Sequence, residues 1–304
     1  MSTKTITTLT VAFDTSDLAA AALHRAVLAS LPQRFLITQK QSEGADIAVV
    51  SGRDPSWIER VVAMVDAGAK GILLAAPTAA DPAQIRHLAI RLAGRAIVAV
   101  GARFAADPTW AAARAEIANG ARTASVVDSV VTVEDATEDA LFGGLVEQLG
   151  VLRPLIESFD HLTCVHHSPR QLAVVGNSGA VAVSLTASAP SASGCSLRLD
   201  VVSSVRRWQA RFADDALARP TEITVYDGTG ARSRPWHYAS AHRTTWLQLH
   251  AAITGEASVF HYSLADLATD LELAHRVFAG SVDPITSPKL THPPFASSNV
   301  DVFG

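Results

Sequence analysis

The chain has 304 residues, 48% of them hydrophobic and 18% charged, with a formal net charge of -4 and a pI near 6.2. Those values describe a globular protein of one or two domains with ample apolar surface for a core. Mild acidity with scattered Lys and Arg excludes a nucleic-acid partner, which needs a clustered basic face, and no apolar run approaches the ~20 residues of a membrane span.

In chain order, Met1 to Phe13 carries one Lys and then alternating Thr and apolar residues, and reads as a first strand rather than a signal sequence. Apolar runs at Leu9–Phe13, Phe35–Thr38, Ile47–Val50, Gly71–Ala75 and Ala96–Val100 alternate with amphipathic stretches, which predicts a parallel sheet with crossover helices. Asp54-Pro55, Asp81-Pro82 and Asp107-Pro108 each predict a helix start, Asp accepting from free amides and Pro presetting the first helical φ. About eight residues separate the second run from the third, fewer than the ~10–12 of a parallel crossover. Either one of those strands is misplaced or part of a Rossmann sheet is missing.

Asn119-Gly120 predicts the end of the third helix, and from Ala124 the texture changes to longer β-branched runs. These are Ser125–Val133, Gln171–Val175, Ala180–Thr186, Leu197–Val202, Arg207–Phe212 and Glu222–Tyr226. Helices are expected from Thr137 to about Ile156, over Thr245–Ile253 and over Ser263–Phe278, the last opened by the capping box Ser263–Asp266. The domains are accordingly 1–122 and 123–281, with 282–304 a proline-rich extended tail. Two cysteines, Cys164 and Cys195, form neither a disulfide framework nor a zinc spacing, so a reducing, cytoplasmic setting is expected.

A strand of an α/β domain delivers its last residues to the crevice where ligands bind. Here Gly71–Ala75 runs into Ala76-Pro77, with nothing reactive at its end. The element order, with the strings Ala45–Val50, Ala67–Pro77, Val100–Gly120, Gly143–Val151 and Arg243–Val277, resembles the Gfo/Idh/MocA family of NAD(P)-dependent sugar and cyclitol oxidoreductases. The resemblance covers residues 5–280. It implies a Rossmann-like α/β domain, cut down if the short connector is real, followed by an α+β domain. The large, open, mainly antiparallel sheet of the latter packs its face on another subunit in a dimer or tetramer.

The resemblance also locates what this chain lacks. The family strand ends in Glu-Lys-Pro, which puts Ala76 where the Lys contacts the substrate hydroxyl and the nicotinamide. A Gly-rich helix entry carries Asp and, four residues on, His; Gly143–Leu152 puts Gln148 and Leu152 there. Hydride transfer from an alcohol needs a proton acceptor, and neither side chain is one. Glu147 is adjacent but points about a quarter-turn away. The three positions of the Gly-x-Gly-x-x-Gly loop are Asp14, Ser16 and Ala19; Asp14 or Ser16 would cap the helix, and Asp14 and Asp17 would repel a phosphate. The short connector removes about one helix-strand-helix of the adenosine-pocket wall. Lys40 reads as a contact for a 2′-phosphate or as a solvated loop lysine.

Other candidates stand outside these motifs. Asp160–His167 gathers metal-capable side chains, and on a strand Cys164 and His166 share a face, but a four-ligand set is lacking and no metal is expected. Arg103, ahead of Asp107-Pro108, reads as a pocket residue or a surface salt bridge. Trp236-His237-Tyr238 with His242 reads as a pocket lining or an aromatic cluster closing a sheet edge. The candidate pocket is therefore Arg103, Gln148, His166 and His237. The replacements at Asp14, Ser16, Ala19, Ala76, Gln148 and Leu152 together imply a non-catalytic relative that needs no cofactor. It would bind a sugar-like ligand or partner an active paralogue. The alternative is an NAD(P)-dependent sugar or cyclitol oxidoreductase with a displaced base, Glu147 or His166, and a third reading is metal chemistry at Cys164 and His166.

Overall fold

The computed structural model describes residues 6–14, 17–38, 44–77, 80–190, 194–213, 219–256 and 258–280. Five parallel strands, β1 (Leu9–Phe13), β2 (Phe35–Ile37), β3 (Ile47–Ser51), β4 (Gly71–Ala75) and β5 (Ile97–Gly101), lie in the order β2-β1-β3-β4-β5. Every residue of β3 and β4 is buried, because helices cover both faces of the sheet. Those helices are α1 (Leu18–Ala29), α2 (Trp57–Asp66), α3 (Pro82–Leu92) and α4 (Pro108–Ala121).

Both strands flanking the short connector exist: β2 pairs with β1 on one side and β3 pairs with it on the other. No helix lies between them among the described residues. The order is that of the six-stranded dinucleotide-binding sheet with its third strand removed. Both strands therefore stand, and the sheet has five strands in doubly wound order, one fewer than the six-stranded dinucleotide-binding sheet.

Asp81 and Asp107 cap α3 and α4 as predicted, accepting from the amides of Ala83 and Trp110 with Pro in the first turn. Asp54 does not cap α2. It accepts instead from the backbone and hydroxyl of Ser56, an Asx turn that delays the helix to Trp57. The cap of α1 is Asp17, not Asp14; Ser16 and Lys40 lie outside the described residues. Asn119 and Gly120 sit inside α4 rather than ending it. A Cβ on Gly120 would fall 2.1 Å from the Trp208 ring, so this glycine serves close packing and not termination.

The second domain is an eight-stranded sheet, β6 (Ala124–Thr132), β7 (His161–Ser168), β8 (Gln171–Ser178), β9 (Val181–Ser188), β10 (Ser196–Ser203), β11 (Arg206–Phe212), β12 (Glu222–Asp227) and β13 (Gly230–Ser233). Its order is β13-β12-β11-β10-β6-β9-β8-β7, antiparallel except for the β6–β9 pair. The edge strands β7 and β13 are the ones the hydrophobic pattern did not yield, because edge strands need fewer apolar residues. Helices α5 (Glu138–Leu152) and α7 (Leu264–Phe278) cover one face, and the capping box at Ser263 is formed. On the other face Val126, Arg198, Arg207 and Glu222 stand exposed. Helix α6 (Ala241–Ile253) returns to the first sheet, where Trp246 and Leu249 pack with Val11, Phe35 and Leu73. No helix among the described residues is long and apolar enough to cross a membrane, and the tail 282–304 lies outside them.

Candidate functional site

The connections leaving β1 and β3 depart in opposite directions, so the carboxyl ends of these neighbours form the switch point where an open α/β sheet binds ligands. Here that point is filled with ion pairs. The Asp14 carboxylate lies 2.6 Å from Arg60 Nε, and the same guanidinium donates to the Ser51 carbonyl at 2.8 Å and to both oxygens of Asp54 at 2.9 and 2.7 Å. Hydrogen bonds from Arg60 and Ser56 hold the Asp54 carboxyl well below the usual carboxylate range.

Asp17 closes the other half. One oxygen accepts from the Ala20 amide at 3.0 Å; the other accepts from the Ser51 hydroxyl at 3.0 Å and faces Arg53 Nε at 3.3 Å. Burial pushes its pKa up, but these donors outweigh burial and leave it lowered. The first turn of α1, with Ala19 exposed in it, thus spends an amide donor on its own carboxylate. A phosphate at this helix N-terminus would have to displace that carboxylate.

At the end of β4, Ala76 has φ +46°, the one positive value at a non-glycine among the described residues. The cause is beside it: Gly52 donates its amide to the Ala75 carbonyl at 2.7 Å, and a Cβ on Gly52 would lie 2.4 Å from Pro77 Cα. The exits of β3 and β4 are locked backbone to backbone, which forces the turn through a left-handed residue.

On α5, Gln148 is 0% exposed. Its amide donates to the Ser129 carbonyl and hydroxyl at 2.9 and 3.0 Å and to the Thr186 carbonyl at 3.2 Å, tying the helix to β6 and β9. Its Oε1 is buried without a hydrogen-bond partner. Leu152 is likewise fully buried. Gln148 is therefore a core clasp and not a pocket-lining residue. Glu147 faces the seam between the domains instead, accepting from the amides of Arg103 and Phe104 at 3.1 and 3.3 Å. Arg103 also lies 3.6 Å from Glu134. Cys195 joins this seam, its thiol pushed up to about 11 by burial, with Arg103 opposing the shift. Neither Glu134 nor Cys195 was marked by any motif; only the register of Glu147, next to Gln148, hinted at the seam.

His166 is exposed on the edge strand β7. Pairing there steps from Cys164 opposite Val174 to His166 opposite Ala173, skipping Val165. The bulge puts Cys164 and His166 on consecutive pairs and so on opposite faces, not on one face as alternation predicts. Among the described residues no three His, Cys, Asp or Glu side chains are grouped to hold a metal.

His237 lies beyond the opposite edge strand, its amide donating to Thr109 Oγ1 at 3.1 Å on the first turn of α4. Its neighbours Trp236 and Tyr238 are 48% and 78% exposed, so they do not close the sheet edge. His242 is buried, its ring 5.2 Å from that of His24, which accepts from Trp246 Nε1 at 3.3 Å. With Gln148 in the core and His166 and His237 at opposite edges of the large sheet, the four candidate residues do not form one pocket.

No family model matches the sequence, and no curated protein does. Solved structures do match in fold. UDP-N-acetylglucosamine 3-dehydrogenase GnnA from Acidithiobacillus ferrooxidans aligns with a TM-score of 0.71 at 11% identity, over 90% of this chain and 98% of that one. An oxidoreductase from Thermotoga maritima aligns at 0.69 and 11%, over 90% and 97% of the two chains. The dehydrogenase MviM from Clostridium difficile aligns at 0.69 and 7%, over 90% and 99%. At such identities the likeness is one of fold: a Rossmann-like domain joined to a mainly antiparallel sheet domain, the arrangement expected from the Gfo/Idh/MocA resemblance.

Proposed function

We propose that this chain is a member of the Gfo/Idh/MocA oxidoreductase group that does not run hydride transfer. It binds a sugar-like ligand or serves as the structural partner of an active paralogue, and it forms a dimer or tetramer through the open face of its large sheet. The observation that carries this reading is the ionic closure of the switch point, where Asp17 spends the α1 amide and the Ser51 hydroxyl, and Asp14 holds Arg60. Ala76, Gln148 and Leu152 support it, since none of these side chains accepts a proton from an alcohol. The structural neighbour GnnA is named for a sugar-nucleotide substrate, so sugars and sugar nucleotides are the ligands to try. Calorimetric titration with NAD⁺, NADH, NADP⁺ and NADPH tests the closure; low-micromolar binding of any of them overturns it.

A second reading, an NAD(P)-dependent oxidoreductase of sugars or cyclitols, is favoured by one observation. Glu147 sets a partly exposed carboxylate beside Arg103 at the exit of β5. In this reading Glu147 is the displaced base. A dehydrogenase screen over polyols at high protein concentration that shows no turnover removes it.

A further inference from the structure

The segment joining β13 to α6 is fixed to the body through Arg234 and His237, and its end is set by the cap of α6. The Arg234 amide donates to the Ile223 carbonyl at 2.8 Å, the Arg234 guanidinium pairs with Glu116, the His237 amide donates to Thr109, and Ser240 caps α6 through the Arg243 amide. Yet its largest side chains face water, Trp236 at 48% and Tyr238 at 78% exposure. A backbone anchored on either side of Trp236 that presents two large aromatics to solvent offers a contact surface, because anchoring lowers the ordering cost of binding.

The two rings make a corner. Their centroids are 6.3 Å apart and their planes 78° from each other, so the edge of one stands against the face of the other and leaves a flat wall on each arm. Between them in sequence is His237, whose backbone amide is the anchor on Thr109. Thr109, which anchors the segment, opens α4 directly after β5, so the corner stands at the carboxyl edge of the parallel sheet, the edge that also carries Asp14 and Ala76.

From this we infer that Trp236 and Tyr238 form a stacking corner for a pyranose ring. A pyranose offers flat C–H faces and a polar rim, which suits apolar walls carrying an indole N–H and a phenol at their margins. The inference rests on the sugar-binding part of the proposed function and is independent of the closed dinucleotide site.

Full-length protein is titrated with methyl β-glucopyranoside, N-acetylglucosamine and UDP-N-acetylglucosamine by saturation-transfer NMR and calorimetry. At least one of them binds, Trp236→Ala and Tyr238→Ala each weaken it about tenfold or more, as expected for loss of a stacked ring, and Trp236→Phe keeps most of the affinity. Thermal unfolding of the variants matches the parent, since both side chains are exposed. Absence of binding for all three sugars at about 10 mM, or unchanged affinity in both alanine variants, overturns the inference. So does selective capture of a protein partner at Trp236 without sugar binding. Dinucleotide binding would instead sink the closed-site reading and leave this one standing.

Discussion

Asp14 and Arg60 meet across the switch point with carboxylate and guanidinium 2.6 Å apart, so the exit of β1 is tied to α2. Arg60 is the hub, because Asp14, Asp54 and the Ser51 carbonyl all depend on it. Arg60→Met should lower stability by about 1–3 kcal/mol, since it removes a charged donor shared by two carboxylates and a carbonyl. The exposed pair Lys70–Asp46 is the control: Lys70→Met should cost less than about 1 kcal/mol. Urea midpoints of the two variants decide this, and equal losses would sink the idea that the switch point is held by Arg60.

Asp270 makes a pH prediction of unusual sign. It is fully buried against the Tyr262 hydroxyl at 2.7 Å and the Arg153 guanidinium. Burial pushes its pKa up to about 6, with Arg153 and Tyr262 opposing. The folded value lies above the unfolded one of about 3.9, so its contribution to stability is full below about pH 4 and is lost as pH rises through about 6. Parent and Asp270→Asn should therefore differ in a pH-dependent way. Between pH 4 and 6 the parent loses on the order of 1–3 kcal/mol relative to the variant. Denaturation at several pH values checks it, and parallel curves would refute it.

The turn after β4 gives paired predictions of opposite sign. Ala76 pays for a left-handed conformation, an L-residue cost of roughly 1–2 kcal/mol that glycine avoids at some expense in unfolded-state entropy. Ala76→Gly should raise stability by about 0.5–1 kcal/mol. Gly52→Ala should lower it by more than about 2 kcal/mol, because the new methyl meets the Pro77 backbone, which cannot move without shifting β4. If Gly52→Ala proves neutral, the locked exits described above are wrong.

Much of this was legible in sequence, and the failures have physical reasons. Residues Gly71–Ala75 were placed to the residue because a short apolar run between a glycine and a proline leaves a strand little freedom of register. Asp81 and Asp107 were legible because capping is local chemistry. Asp54 shows the limit: the same Asp-Pro dipeptide is diverted when Ser56 and Arg60 offer its carboxylate better partners. The helix that carries Gln148 is legible in the sequence, but the burial of Gln148 is not, since that depends on β6 and β9 pairing beneath α5. Val165 was invisible too, because a bulge is a property of two strands and only one was being read.

Under the proposed reading, introducing an acid and a base at Gln148 and Leu152 should not create a reaction. Leu152→His places an imidazole, and Gln148→Asp a carboxylate, at positions with no exposed surface. Each should cost about 2–4 kcal/mol as an unsatisfied polar group in the core. The double variant with Ala76→Lys should unfold more readily and show no polyol oxidation with NAD⁺ or NADP⁺. Measurable turnover would mean that α5 can present these positions to a ligand and would revive the oxidoreductase reading.

The open face of the large sheet offers the last test. Its central strands β6 and β9 present Val126, Val130, Ala182, Ser184 and Thr186 around one acid, Asp128, which pairs with Arg198 at 3.3 Å, while the alternate residues Val131, Val183, Leu185 and Ala187 are buried beneath α5. Small residues let a second sheet approach closely, and an eight-stranded face left bare would be a large surface to keep in water. The charged half, where Asp200 accepts from Arg207 and Gln209, borders this strip and is already satisfied within one chain. A second copy would therefore seat on the small-residue strip. Thr186→Arg puts a long cation opposite Val130 without touching the buried side of β9. Light scattering should show the mass of the parent oligomer falling to one chain while the urea midpoint stays within about 0.5 kcal/mol. A parent that is already monomeric, or a variant whose mass does not change, removes this strip as the assembly surface.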